Sequence, residues 1–373
     1  MNNKKLKCTL TYGNNTHHLS QIITGFTLLK KQTLLNLTTV FDTKIKESQI
    51  HNEIIKVEIG DKVLIYDLAD GYQSFHDMQA FDNVLNNVDF YFKRSYDETQ
   101  HVILKNKKKI KPLGLNYPVS CKGNPFDSFR PKSNNSASKF KEYIAFLRYY
   151  KRFHKNIYYP KYENIPSPSN EPYKILYSVR LWNPDTVKKE NISKGYPNLN
   201  EFDVSRVFEK WQSNLENVTK QRIEIARSLK ETFGDTLIGG ISGDPYSIKM
   251  APDLIASETI TMKYNFMKLL KTNVICVSSE GLHHSIGWKF AEFVAASKAI
   301  ITDKLRYSLP GDFEKNKNYL EYGNIDELIN QTSSLLKDRA LINQIEIKNY
   351  DYYKNYIKPD RLVLNSLKEA HIL

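Results

Sequence analysis

Residues 278–303 read SSEGLHHSIGWKFAEFVAASKAIITD, and the fold turns on how this stretch is parsed. The residues at 274–278 read as a buried strand, and 299–302 read as the next. Between them Gly281 and Gly287 interrupt regular structure, while Phe290, Phe293 and Val294 recur at helical spacing. Ser285 is placed as the N-cap of a helix running to about residue 297, because a serine hydroxyl accepts a free amide two or three positions on. Ala295 and Ala296 allow that helix to approach a sheet closely. The unit is strand, glycine-bearing loop, helix, strand, the repeating element of a parallel sheet.

The same alternation continues on both sides. Upstream, 5–11 reads as a strand and TYGNNTHHLSQ as a turn opening a helix, with Leu19, Ile22, Ile23, Phe26 and Leu29 on one face. Further strands are expected at 34–40, 54–58, 62–66, 88–92 and 110–113, with a helical stretch near 77–86, giving a mostly parallel α/β sheet. KGNPFDSFRPKSNNSAS at 122–138 is an irregular crossing, 139–155 a helix, and PKYENIPSPSNEPY at 160–173 a linker. The alternation restarts with KILYSVRLW as a strand, 204–233 as a long charged helix, TLIGGIS as a strand, 262–270 as a helix and TNVICVS as a strand. Residues 324–337 and 339–370 read as helical. The fold class expected is therefore α/β, with two Rossmann-like domains facing a cleft at 1–165 and 171–350. A helical tail at 351–373 is expected to pack back towards the first domain. Such sheets bind ligands beyond the carboxyl ends of their strands, which makes the cleft the expected active site.

A length of 373 residues exceeds one ordinary core, and 40% hydrophobic with 25% charged residues is the balance of a globular chain. No apolar run approaches the ~18 residues that a bilayer span needs. The polar Thr-Leu-Thr-Tyr-Gly that follows the basic N-terminus argues against a signal peptide. Three widely spaced cysteines, Cys8, Cys121 and Cys276, indicate neither a disulfide frame nor a zinc site and suit a reducing compartment. The expected location is cytoplasmic, at most peripheral at the inner face of the membrane. A formal charge of +13 points to anionic partners without choosing among nucleotides, nucleic acid and an anionic membrane surface.

A helix N-terminus behind a glycine-bearing loop offers unpaired amides and the positive end of the helix dipole, which suits a diphosphate. Those free amides are expected at 285–288. Glu292 lies about two turns in, and a carboxylate facing the cleft there can accept hydrogen bonds from sugar hydroxyls. Facing elsewhere it would pair with Lys289 or Lys298.

EFVAASKAI at 292–300 matches EAMAxGxPVI in register, and Gly287 matches the second glycine of EGFG. The stretch thus resembles the donor-binding core of group 1 glycosyltransferases of the two-domain B fold (GT-B). The resemblance implies transfer of a sugar from a nucleotide-diphosphate donor to a lipid-linked or polysaccharide acceptor, in cell-surface polysaccharide synthesis. No cofactor is implied besides the donor, which is a substrate. It further implies that Glu292 holds the donor's ribose hydroxyls. The family's first glutamate falls on His284, a departure that puts this histidine in the catalytic set. KILYSVRLW resembles the family's strand ending in GRL, which places Arg180 at the diphosphate. The family's next lysine falls on Asp185, with Lys188 or Lys189 as candidate replacements. KNYLEYGNIDELINQTSSLLKD resembles the tail of the same domain, so the likeness is motif-level over 171–340 and organisational over 1–125. The expected substrate-binding set is Glu292, Ser285, Ile286, Gly287, Trp288, Lys289, Arg180 and, from the first loop, Gly13.

In the first domain, the loop carrying Gly13, His17 and His18 follows the first strand and lines the cleft in this fold, so either histidine can touch acceptor or sugar. IYDLADGYQSFHD puts Asp67, Asp70 and His76 after another strand, where an inverting enzyme needs a base to deprotonate the acceptor hydroxyl; Asp70 is the candidate. His283 and His284 lack further partners at metal-ligand spacing and the chain has no D-x-D triplet, so no metal is expected. KEYIAFLRYYKRFHKNI at 141–157 sets apolar residues on one side and Arg148, Lys151, Arg152 and Lys155 on the other. Such a helix lies on anionic lipid or packs on the first domain. Two other functions stay open. One is a non-catalytic basic protein that binds nucleic acid or an anionic surface; the other is a nucleotide-sugar epimerase on the same fold. For a transferase, nucleic acid is not an expected partner.

Overall fold

The computed structural model describes residues 6–14, 16–42, 45, 53–72, 78–125, 135–195 and 199–373. His76 and residues 126–134 of the expected crossing lie outside them, as do the side chains of Lys151 and Arg152.

The first sheet starts with β1 (Leu6–Tyr12), and helix α1 (Ser20–Lys31) returns the chain to the parallel strand β2 (Leu35–Phe41). A hairpin follows, β3 (Ile54–Ile59) and β4 (Lys62–Asp67), then helix α2 (Met78–Asn86) and strands β5 (Phe90–Lys93) and β6 (Ile110–Pro112). The order is β2-β1-β3-β4-β5-β6. β4, β5 and β6 are parallel, but β3 is antiparallel to both neighbours. The expectation of a mostly parallel sheet therefore needs correcting at 54–67. Only Gly60 and Asp61 separate these strands, too few residues for a crossover, and Gly60 takes the left-handed backbone that the tight reversal needs.

After the crossing helix α3 (Ser136–Arg152) the second sheet begins with β7 (Lys174–Val179). Helices α4 (Lys189–Gly195) and α5 (Glu201–Phe233) lead to β8 (Leu237–Ile241). Three short helices, α6 (Pro245–Met250), α7 (Glu258–Thr261) and α8 (Lys263–Leu269), precede β9 (Val274–Val277). Helix α9 (Trp288–Ala295) then leads to β10 (Ile300–Thr302) and β11 (Leu320–Glu321). All pairs are parallel, in the order β11-β10-β9-β7-β8. The chain leaves β7 towards β8 on one side and returns to β9 on the other. That reversal is the topological switch point, where the loops at the carboxyl ends splay apart and leave a crevice.

Helices α10 (Ile325–Leu335) and α11 (Arg339–Tyr352) cover the second sheet. The stretch 339–370, read as helical throughout, breaks at a π-helical turn over Tyr353–Ile357, and Pro359 opens helix α12 (Pro359–Glu369). α12 crosses to the first domain as expected. Leu362, Val363, Leu367 and Ala370 join the core formed by β1–β4 and α1. The crossing is close: a Cβ at Gly25 would lie 2.3 Å from the Pro359 carbonyl oxygen. Among the described residues no helix is long and apolar enough to cross a membrane.

Candidate functional site

A cavity of about 430 Å³ opens between the two sheets. One wall is the switch point itself, with Ser178, Val179 and Arg180 from the end of β7 and Val277, Ser278 and Ser279 from the end of β9. The other wall is first-domain loop, carrying His18, Asp70 and Arg94. The start of α9 supplies Gly287, Trp288, Lys289 and Glu292.

The loop before α9 is built differently from the sequence reading. Ser285 does not cap the helix. Its amide donates to the Leu282 carbonyl (3.0 Å), its carbonyl accepts from Gly281 (2.8 Å), and Gly287 occupies the N-cap without any side-chain bond. The helix ends at Ala295, two residues short of the expected end. Ser285 closes a tight ring against Gly281, where a Cβ would lie 2.5 Å from the Ser285 hydroxyl; that is why a glycine stands there. Among the described residues the amides of Trp288 and Lys289 have no hydrogen-bond acceptor, so the free donors start later than Ser285.

Glu292 faces the cavity and is almost fully buried. Its Oε1 forms an ion pair with Lys263 at the start of α8 and lies 3.3 Å from the Tyr162 hydroxyl. Lys289 points across the Phe266 ring, 3.2 Å from its centroid. Burial, partly offset by Glu292, pushes the Lys289 pKa down to about 8. Arg180 stacks on the Trp182 ring at 3.7 Å. Behind it, the buried Arg222 of α5 donates to the carbonyls of Arg180 (2.8 Å) and Glu280 (3.0 Å), and its Nε has no partner. Neither arginine pairs with a carboxylate among the described residues. Lys189 bonds Ser205 instead, and neither it nor Lys188 lines the cavity.

On the facing wall, Arg94 binds Asp70 Oδ1 at 2.7 Å and reaches across the cleft to the Ile286 carbonyl, also at 2.7 Å. The Trp288 indole donates to Asn116 of the first domain (3.1 Å) and packs 4.5 Å from the His18 ring. His18 sits between Arg94 and Glu53, and burial followed by the Arg94 charge pushes its pKa down to about 4, so the ring is neutral. Asp67 is occupied structurally by Lys93, Tyr91 and the Ala69 amide.

Four expected site residues fall elsewhere. Ile286 is absent from the cavity lining and engages the cleft only through its carbonyl, which accepts from Arg94. His17 packs among Phe153, His154 and Tyr149 and is absent from the cavity lining; burial, then His154, pushes its pKa down to about 3. His284 has left-handed backbone, is largely exposed, and pairs with Glu280 at 2.6 Å outside the cavity. Gly13 is a packing glycine, since a Cβ there would lie 2.5 Å from an Ile45 methyl. Conversely, Lys263, Tyr162, Arg94 and Arg222 escaped the sequence reading. The only local signal among them was the Lys93-Arg94 pair at the carboxyl end of a strand.

Two α/β sheets facing a cleft, one of them wholly parallel with its switch point in the cleft wall, define the GT-B class of architecture. No protein-family model and no curated protein matches the chain. Among solved structures it is similar to the C-terminal domain of a glycosyl transferase group 1 family protein (LpcC) from Francisella tularensis. That match has 14% identity and a TM-score of 0.34 over 54% of this chain and 97% of the other. It is similar to S. aureus TarM at 14% identity and a TM-score of 0.40, over 81% of this chain but only 48% of TarM's. It is also similar to S. aureus MnaA in a co-structure with UDP, at 11% identity and a TM-score of 0.44 over 98% of this chain and 96% of that one. At such identities the functional reading rests on the cleft's own residues.

Proposed function

We propose that this chain is a glycosyltransferase that moves a sugar from a nucleotide-diphosphate donor to an acceptor bound against the first domain. The observation that carries the reading is the convergence, on one wall of one cleft, of unpaired cations, a helix start and a sugar-type carboxylate. Among the described residues Arg180, Arg222 and Lys289 have no carboxylate partner in an ion pair, and they stand beside the free amides of α9 and Glu292. A diphosphate supplies the missing negative charge, and the carboxylate accepts from ribose hydroxyls. In the reaction the bond from the anomeric carbon to the diphosphate oxygen breaks, its electron pair leaves on the diphosphate, and the acceptor oxygen bonds that carbon. The cations and amides stabilise the departing charge, so the chemistry proposed uses no metal. Asp70, held by Arg94 at the opposite wall, receives the acceptor's proton, which commits the reaction to inversion.

The acceptor proposed is lipid-linked or a growing polysaccharide, at the cytoplasmic face of a membrane. α3 supports this: Phe140 and Tyr149 are exposed beside Lys139, Lys141 and Arg148. A thermal-shift panel of UDP, GDP, ADP and their sugars tests the donor, since a ligand at a hundred times its Kd adds about 2.7 kcal/mol. Glu292→Ala should abolish that shift and most transfer with the fold intact. Normal turnover by this variant defeats the assignment. Donor consumption without any acceptor would indicate an epimerase, and salt-sensitive oligonucleotide binding without a nucleotide shift a non-catalytic protein. A retained anomeric configuration in the product removes Asp70 as base, and equal sedimentation with neutral and anionic vesicles removes the membrane.

A further inference from the structure

Glu292 lies in a setting that an ionised carboxylate does not enter unaided. Its side chain is 4% exposed, on a helix whose neighbours Phe290, Ala291, Phe293 and Val294 are all core residues. Two groups touch Oε1, and they are not equivalent. The Tyr162 hydroxyl has one proton to give. It lies 2.8 Å from the Pro118 carbonyl and 3.3 Å from Glu292, so the shorter contact takes the proton. That leaves Lys263. Its ammonium is 10% exposed, sits over the Tyr162 and Phe266 rings, and has Glu292 as its only acceptor among the described residues. Oε2 carries no protein hydrogen bond among the described residues, and it is not one of the buried orphan atoms.

We propose that Lys263 is a positioning residue of the donor site: by clamping Oε1 of Glu292 it fixes the orientation of the carboxylate and leaves Oε2 for a donor hydroxyl. The inference rests on the donor reading above and adds to it a residue from a different helix. Burial disfavours the Lys263 ammonium and the Glu292 carboxylate favours it. Four further titratable groups face the pair. Lys289 lies on the same helix as Glu292, Tyr117 and Tyr162 come from the segments packed on it, and His17 faces Lys263 from the first domain. Of these only Lys289 can carry positive charge near neutrality, and its ammonium contacts the Phe266 ring, not the carboxylate.

The test is calorimetric titration of the full chain with UDP and GDP as probes from pH 6 to pH 8.5. The proteins compared are wild type, Lys263→Met, Lys263→Gln, Lys263→Arg, Glu292→Gln and the double variant Lys263→Met/Glu292→Gln. A carboxyl stripped of its cation in this setting takes up a proton more readily. Lys263→Met should therefore bind ~10- to 100-fold more weakly at pH 7 and recover part of that loss as pH rises to 8. Lys263→Arg should restore binding, and the double variant should bind no worse than Lys263→Met. Its melting temperature should be higher than that of Lys263→Met, because no lone buried charge remains. If the methionine variant fails to fold, Lys263→Gln supplies the same comparison with a neutral hydrogen-bond donor. Tight binding by wild type together with equal binding by the Lys263 variants overturns the positioning role and leaves the donor reading in place. So does a loss that is independent of pH and not restored by arginine. No binding of either nucleotide by wild type overturns the donor reading, and the positioning role with it.

Discussion

Lys289 is the residue whose environment makes the plainest demand. Burial brings its ammonium down to about pH 8, so it is half neutral at that pH. A bound diphosphate stabilises its charged form, so nucleotide affinity is expected to be steady up to about pH 7.5 and to fall as pH rises through 8 and beyond. Lys289→Met should bind more weakly at pH 7, by ~10-fold or more for a lost charge-assisted contact, and should lack the alkaline fall. Titration of both proteins at pH 7 and 9 checks this, and an identical pH profile for the two would remove Lys289 from the diphosphate. At this scale the sequence was legible only where function and local structure share one stretch. Glu292, Trp288 and Lys289 sit on the helix whose pattern announced them, and Arg180 ends a recognisable strand. His17 and His18 are neighbours in sequence but part company in space. They open a 3-10 turn three residues long, in which successive side chains diverge by about 120°, so one enters the cleft and the other an aromatic cluster. Lys263 and Arg222 reach the cavity from helices whose own sequences give no sign of it, because only tertiary packing brings them there.

Between elements, the tightest joint is the crossing of α1 and α12. Gly25 has the helical backbone that any residue adopts, so its role is space: with a Cβ 2.3 Å from a backbone oxygen and 2.5 Å from a Val363 methyl, no side-chain adjustment relieves the clash. Gly25→Ala is expected to destabilise the protein by about 1–3 kcal/mol, the usual cost of overpacking. It should also loosen α12 first, seen as earlier proteolysis near residue 358 and a lower Tm. An unchanged melting curve would show that the helices can slide apart at no cost. In the sequence Gly25 is one unremarked position of an apolar helical stretch, since a contact to a segment more than 330 residues away leaves no mark on local periodicity. The hairpin at 54–67 was missed as such for a different reason. The expected strands at 54–58 and 62–66 stand only three residues apart, too few for a crossover, but the α/β alternation on either side carries no sign of strand direction.

For the whole molecule, the division into two α/β sheets was legible from alternation and from the Pro/Ser-rich linker. The interlocking of the halves was not. Arg94 and Asn116 grip the α9 loop from the far side of the cleft, and the Ser308 amide bonds the Tyr96 carbonyl. The C-terminal helix contributes Leu362, Val363, Leu367 and Ala370 to the opposite domain. Burying three such large aliphatic side chains is worth roughly 1.5–3 kcal/mol each, a sizeable fraction of the 5–15 kcal/mol typical of a domain. A chain ending at residue 358 should therefore lose the protease resistance of the first domain, even though it retains every strand of that sheet; resistance equal to the full chain would contradict this. The same crossing sets an order of events during synthesis. The first sheet leaves the ribosome long before the helix that completes its core, so the N-terminal half must wait, with one apolar face of α1 uncovered, until residues 359–370 have been made. A pause or a stop before residue 370 then harms the part of the protein that was made first.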